Sequence, residues 1–415
     1  MLDVYWGEFM ISPFPLEWAG DQCSHACVYC FANLQKKHGA QDRRQAQIQS
    51  DMRLLANYHT RHAWAAYLLR EGYPVLLSNR TDPFSKNNHQ QALAVMRVMH
   101  EMGIPMSFQT RGGYGIEDAL AFLSPSCWYV SIETMDDDLG QRLSPGAPAP
   151  SERIRLIRRL REAGHVVVVG FNPCVPEWQP DPEPLLKAVK QAGAWGVWIA
   201  SLHLGRRQAA NLTDHQREVV GEELLGRVVG KRQYSEIDKA AYLAADDCAR
   251  SLGLEVYASR QPFPSRYWEP SHALYPKLFP THQDVINHAF AQGWDQTKPL
   301  SFEEVWEVIG GQFPAGVGPL DSYLGSTAHN IWHDHQVPTQ MTYKQLLALA
   351  WMEPRVEFCL ARGYSFAYAL QETETGYEMM KDDQDMIKIV FVPEATPAWY
   401  ELVTSEPQET AQDGG

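Results

Sequence analysis

The sequence predicts an α/β protein: a partial (β/α) barrel followed by a mainly helical α+β cap region. Three observations carry this. Strand-like and helix-like patterns alternate from about residue 45 to residue 260, which is how a parallel sheet of βα units reads. The strands are continuous apolar runs, such as the four valines Val166–Val169, and belong in a sheet covered on both faces. Polar residues with chemical capacity recur just after these strands, where barrel enzymes keep their sites.

The elements follow in order. Val4–Ile11 reads as a short strand, and the Pro-rich Ser12–Pro15 leads into a cysteine loop. Gln35–Arg44 is polar and basic, a solvated loop or frayed helix. Ile48–Glu71 is helical in pattern and Pro74–Ser78 is a buried strand. His89–Gly103 is a helix stopped by its glycine. Pro105–Gln109, Cys127–Ile132, His165–Phe171, Gly196–Ser201 and Leu254–Ser259 read as strands. Ile116–Leu123, Glu183–Ala192, Leu212–Val229 and Ile237–Gly253 read as helices. Ser151–Gly164 has the clearest helical pattern. Ser151 stands at its N-cap, Ile154, Ile157 and Leu160 recur at helical spacing, and Gly164 ends it. The four arginines 153, 155, 158 and 159 read as its solvated face.

Residues 1–260 therefore form the barrel domain. Residues 261–403 change character: proline turns separate short helices, Phe302–Ile309, Tyr343–Trp351 and Arg355–Arg362, before an apolar strand at Ile387–Val392. A substrate-binding cap is the natural use of such a region. His329, His333 and His335 fall in it and read best as a polar surface or substrate-contact loop. Residues 404–415 are polar and acidic, a disordered tail.

Composition narrows the class. The chain has 415 residues, 45% hydrophobic and 21% charged, ordinary values for a globular protein. It shows no membrane-span run and no signal peptide at Met1–Met10, so a cytoplasmic location is expected. Fifty acids against 36 bases give a net charge of −14. That argues against a broad nonspecific grip on DNA, while leaving room for a local basic groove.

The chemistry concentrates in Asp21–Cys30, where Cys23, Cys27 and Cys30 stand at CxxxCxxC spacing with Tyr29 before the third. Cube-type iron–sulfur clusters usually take four cysteines. Three leave one iron with an open position, and an open position on a metal points to chemistry. A zinc site would need a fourth ligand, and His25 inside the loop is spaced too tightly for a finger. Disulfides suit small secreted domains, not a long chain with seven cysteines.

The cysteine spacing resembles the radical S-adenosylmethionine (SAM) superfamily. Further blocks resemble its spore photoproduct lyase-like branch over about residues 10–200. They are Thr81-Asp82-Pro83-Phe84 after the second strand, Thr110-Arg111 after the third, and Ser131 to Thr134 on the fourth. The run Leu143-x-Pro145-x-Ala147-Pro148 with Arg153 completes the set. The resemblance implies that Cys23, Cys27 and Cys30 hold a 4Fe-4S cluster whose open iron is chelated by SAM. One electron from a donor such as flavodoxin or ferredoxin then splits SAM into methionine and a 5′-deoxyadenosyl radical. It implies that Tyr29 packs near the adenine or shields the cluster. Ser78, Asn79 and Asp82 contact the SAM amino group and sugar, Arg111 pairs with the methionyl carboxylate, and Ser131 and Glu133 bond the ribose hydroxyls.

Cys174 ends the fifth strand and is the candidate catalytic residue, a hydrogen donor to a substrate radical by analogy of role; as a small buried hydrophobe it would be structural. The expected substrate is a nucleobase, such as a thymine-type base in DNA that is repaired or rearranged. A free nucleotide, small metabolite or peptide is the alternative, and a non-catalytic zinc or iron–sulfur module is the reading from another class.

Overall fold

A computed structural model describes residues 15–16, 23–30, 52–60, 66, 69–70, 72, 74–77, 81–202, 204–229, 236–258, 303, 307, 377–381 and 387–391. Seven strands form one sheet: β1 (Pro15–Leu16), β2 (Val75–Leu77), β3 (Met106–Thr110), β4 (Cys127–Ser131), β5 (Val166–Phe171), β6 (Gly196–Ile199) and β7 (Glu255–Ala258). Spatial order follows chain order, and β1 and β7 are the two ends. Every neighbouring pair is parallel. Repeated crossovers in one direction without closure make this a partial (β/α) barrel.

Residues 52–57 are helical, and the helices that follow are α1 (His89–Glu101), α2 (Ile116–Leu120), α3 (Asp137–Leu143), α4 (Pro150–Glu162), α5 (Glu183–Gln191), α6 (Arg206–Ala210), α7 (Asp214–Val220), α8 (Glu222–Val228) and α9 (Glu236–Ser251). α4 packs on β4 and β5, and α9 on β6 and β7. All six residues of β5 are buried, as a valine run covered on both faces requires. Trp128 is fully buried between Phe84 and Phe108, at ring separations of 5.2 and 4.4 Å. No described helix is long and apolar enough to cross a membrane.

Three expectations change. The first paired strand, Pro15–Leu16, falls in the stretch read as a Pro-rich approach; the expected strand Val4–Ile11 lies outside the described residues. The stretch Leu212–Val229 is two helices, because Gly221 takes φ +96°, a conformation that breaks helical continuity. Ser151 does not cap α4: Pro150 begins the helix, and the Glu152 carboxylate accepts from the Ala149 N–H at 3.1 Å. Ser151 instead gives its N–H and hydroxyl to Asp137, at 2.8 and 2.7 Å, tying α4 to α3. Asp136 caps α3 by accepting from Asp138 and Leu139 N–H.

Beyond the barrel, β8 (Tyr377–Lys381) and β9 (Ile387–Phe391) form an antiparallel hairpin. Glu303 and Glu307, within the expected helix Phe302–Ile309, are helical and exposed; the rest of the expected cap, its three histidines and the tail lie outside the described residues.

The apolar stripe of α4 should carry its stability. Leu160 is fully buried, so Leu160→Ala should cost about 2–5 kcal/mol in urea unfolding. Arg155, paired with Glu152 at 3.5 Å and mostly exposed, should lose less than about 0.5 kcal/mol on replacement by alanine.

Candidate functional site

Residues 23–30 fold as two consecutive turns. Their backbone is fastened to the loop after α3: Val28 N–H donates to Leu143 O at 2.9 Å, and Gly146 N–H to His25 O at 3.0 Å. Only glycine fits at 146, because a Cβ there would lie 1.9 Å from the Ser24 carbonyl oxygen. Val28 and Tyr29 are buried with Leu143, Val175, Trp178 and Leu202. Cys23 and Cys27 are buried, Cys30 is half-buried, and none of the three is in a disulfide. Burial, then the nearby Asp82 carboxylate, pushes the Cys23 thiol up to about 12.

Two buried carboxylates organise the rest. Asp82 accepts from Phe84 N–H at 2.9 Å, from Arg111 N–H at 2.7 Å, and from the Thr110 hydroxyl at 2.9 and 3.0 Å. His25 Nε2 stands 3.0 Å from its Oδ2. That approach is a close contact and not an aligned hydrogen bond, since Nε2 meets no acceptor in hydrogen-bond geometry. Burial opposes ionisation of Asp82, yet His25 and these donors hold it below the usual carboxylate range.

Glu133, fully buried, lies between two guanidiniums. Arg111 Nη1 and Arg153 Nη1 each donate to its Oε2 at 2.7 Å, and the Ser144 hydroxyl to its Oε1 at 3.2 Å. Burial would raise its pKa, but Arg111 and Arg153 bring it to about 2. Arg111 Nη2 also donates to the Tyr29 hydroxyl at 2.6 Å, with the guanidinium 5.4 Å from that ring. Burial opposes the Arg111 charge, while Cys27 and Glu133 keep it firmly protonated. The Tyr29 ring lies 5.2 Å from Trp178. A cleft of about 430 Å³, lined in part by Arg111, Gly112, Pro148 and Arg153, opens beside this network.

The structure therefore brings Cys23, Cys27, Tyr29, Asp82, Arg111 and Glu133 together. Ser131 adjoins them, its carbonyl accepting from Arg153 Nη1 at 3.2 Å. On the same strand the Tyr129 hydroxyl meets the side chains of Asn172 and Ser131; burial pushes it up to about 12. Cys174 is buried past the end of β5, and its N–H donates to Ala200 O at 2.6 Å. Ser78, Asn79 and His203 lie outside the described residues.

One expectation is corrected. Arg153 is not part of a solvated helix face: it is fully buried and reaches from α4 to Glu133. The spacing pattern ending in Arg153 carried this signal, since a fixed arginine after Leu143–Pro148 implies a fixed partner. Glu117, on α2, pairs with Arg159 at 2.9 Å. His25, set aside as a poor zinc ligand, is a structural partner of Asp82 that spacing alone does not disclose. Among the described residues no three His, Cys, Asp or Glu side chains close on a single metal ion. It is thus the chemistry and burial of the cysteines, not a preformed coordination sphere, that speak for a cofactor.

No protein-family model matches the chain. Over 198 residues it is 29% identical to uncharacterized proteins of Mycobacterium tuberculosis and Mycobacterium bovis, covering 44% of this chain and 56% of each relative. The chain thus spans about half the length of the curated relatives it matches. It also aligns with a solved spore photoproduct lyase mutant with bound AdoMet and dinucleoside spore photoproduct. That match has 13% identity, 56% of this chain, 72% of the other and a TM-score of 0.37. A second is Streptococcus suis SuiB bound to S-adenosylmethionine, with 17% identity, 41% of this chain, 44% of the other and a TM-score of 0.26. Superpositions this loose carry no argument about the site.

Glu133 supplies a pH test. Its pKa is lowered in the fold from 4.5 to about 2, so its contribution is present above the unfolded value and lost as pH falls through the folded one. Glu133→Gln should destabilise the chain by about 3–5 kcal/mol near neutral pH, because two buried guanidiniums lose their counter-charge. The difference from wild type should shrink between about pH 4.5 and pH 2, read by denaturant unfolding at each pH.

Proposed function

We propose that this chain is a radical SAM enzyme whose Cys23, Cys27 and Cys30 hold a 4Fe-4S cluster and whose barrel mouth binds SAM. The observation that carries the reading is the docking of the three-cysteine loop onto the strand-end network of Asp82, Arg111 and Glu133.

The residues fit both groups. Three reduced thiols, two of them buried, are a soft donor set suited to iron–sulfur ligation. A thiolate at Cys23 is costly without a cation beside it, which iron would supply. For SAM, the telling atom is Arg153 Nη2, buried and without a hydrogen-bond partner. Two guanidiniums share one carboxylate at Glu133, leaving one positive charge over. A methionyl carboxylate matches that surplus in sign, and Nη2 is the nitrogen left to meet it, since Nε and Nη1 are already engaged. Arg111 has both Nη groups engaged by Glu133 and Tyr29, so the carboxylate role moves from Arg111 toward Arg153.

Bound together, cluster and SAM would supply one-electron cleavage of SAM and a 5′-deoxyadenosyl radical that abstracts a substrate hydrogen. The chain's own residues position and shield. Tyr29 and Trp178 wall the cysteine loop. Glu133 fixes both arginines, and Ser131 and Tyr129 line the inner end of β4, where ribose or substrate hydroxyls would find donors. Cys174 past β5 is the candidate hydrogen donor. Water exclusion matters because a primary carbon radical attacks whatever is nearest.

For the substrate we favour a nucleobase, on the branch resemblance of the strand-end motifs. A base within a duplex would have to be flipped out to reach so enclosed a centre. The net charge of −14 favours a short or free nucleotide over a long duplex gripped by its phosphates.

Anaerobic reconstitution tests the reading. Wild-type chain should take up iron and sulfide, gain a visible charge-transfer absorbance, and release 5′-deoxyadenosine from SAM on reduction. Cys23→Ala, Cys27→Ala and Cys30→Ala should each abolish all three. A colourless protein carrying stoichiometric zinc would overturn the assignment. Arg153→Lys should weaken SAM binding roughly 10–100-fold, the worth of a charged hydrogen bond, with the absorbance of the loaded protein unchanged.

A further inference from the structure

The cysteine loop contains one residue that the cluster reading does not use. His25 stands between Cys23 and Cys27 and is almost fully buried, at 1% exposure. Each ring nitrogen faces an oxygen that only accepts: Nδ1 lies 3.0 Å from the Gly146 carbonyl, and Nε2 lies 3.0 Å from Asp82 Oδ2. Its own carbonyl accepts from Gly146 N–H at 3.0 Å. A cysteine loop needs no imidazole there for ligation. A buried imidazole with oxygens at both nitrogens is a cross-brace.

Asp82 is the other end of the brace. Its two oxygens face Phe84 N–H, Arg111 N–H, the Thr110 hydroxyl and His25. A carboxylate has about four lone-pair sites; three donors bond to them and the His25 ring crowds Oδ2 at 3.0 Å, which leaves little room for the SAM amino group. Asp82 thus joins the cysteine loop to the residue at which β3 ends. That residue, Thr110, is followed by Arg111, which in turn reaches Glu133 and the Tyr29 hydroxyl.

We propose that His25 is a positioning residue: the His25–Asp82 brace holds the cysteine loop closed against the end of β3 before any metal arrives, and so fixes the loop relative to the SAM-facing arginines. The inference rests on the radical SAM reading for its link to SAM, but the preformed loop is a property of the polypeptide alone. Without the Asp82 contact, Ser24 to Cys27 are held, among the described residues, by the loop's own turn bonds, by contacts to Gly146, and by the long Asn87 N–H to Ser24 hydroxyl contact of 3.4 Å. Local opening of such a loop exposes its thiols while the sheet stays folded.

The test uses the full-length chain, wild type against His25→Gln, Asp82→Asn and the double variant. In the cluster-free protein, iodoacetamide labelling followed by peptide mass spectrometry reads each thiol separately. Cys23 and Cys27 should label about tenfold faster or more in either single variant, while Cys174, buried past β5, keeps its wild-type rate. The double variant should be no faster than the worse single, because the two residues act as one contact. In reconstituted protein, both single variants should bind SAM at least about fivefold more weakly. Labelling of Cys23 and Cys27 within twofold of wild type would overturn the proposal. So would an equal rise at Cys174, which would mean general loosening and not a local brace. If the wild type takes up no iron, the proposed function fails, and the labelling result still decides the brace.

Discussion

The mouth of this barrel depends on how one arginine is held. Arg111 gives its backbone N–H to Asp82, one end of its guanidinium to Glu133 and the other to the Tyr29 hydroxyl. It is therefore the only described residue seen here to touch both buried carboxylates and the cysteine loop together. A buried charge without a partner costs several kcal/mol, so moving any of these groups leaves another exposed to that cost. The loop, the end of β3 and the end of β4 are consequently locked as one unit. Arg153 extends the lock to α4, because it too lands on Glu133 while bonding Pro148 and Ser131 carbonyls at 2.8 and 3.2 Å.

The parallel sheet makes that lock possible. β3 and β4 pair in register, with Thr110 opposite Val130, so Arg111 and Glu133 leave adjacent strands at the same edge. Neither element has freedom to slide, since a register shift of one residue would move every side chain to the opposite face and undo its packing there. α4 is set against β4 and β5 by Ile157 and Leu160, both fully buried, and this fixes where Arg153 emerges. Apolar packing sets the frame, and the charges select one arrangement within it.

Much of the frame was legible in the sequence. The valine run, the Ile154–Leu160 periodicity and the positions of β3 to β7 follow directly from residue pattern. What the pattern missed depends on tertiary contact. The cap of α4 moved because Asp137 competes for Ser151 and Glu152 serves the Ala149 N–H. At the site, the resemblance picked out Tyr29, Asp82, Arg111, Ser131 and Glu133 as neighbours, and the structure does gather them. It could not tell which carboxylates are already saturated by the protein. Asp82 and Glu133 look like ligand contacts in a sequence because acids at strand ends so often are. Only their bonding partners reveal them as fasteners. Arg153 erred in the opposite direction: an arginine-rich helix reads as solvated unless one arginine has a buried acid waiting for it.

That distinction redirects attention within the mouth. Asp82 accepts from Phe84, Thr110 and Arg111 with His25 crowding its Oδ2, and Glu133 accepts from Arg111, Arg153 and Ser144, so the acidic groups have little capacity left for an incoming ligand. The polar groups with capacity are different ones. Arg153 retains an unpartnered buried N–H, and the Tyr129 hydroxyl on β4 meets the side chains of Ser131 and Asn172. A hydroxyl–amide trio exchanges partners cheaply, since each member both donates and accepts. Under the proposed function, neutral hydroxyls and amides would fall to this trio and a negative charge to Arg153. A ligand with a carboxylate at one end and a ribose at the other would meet both demands, which is the physical content of the proposal that this mouth takes SAM.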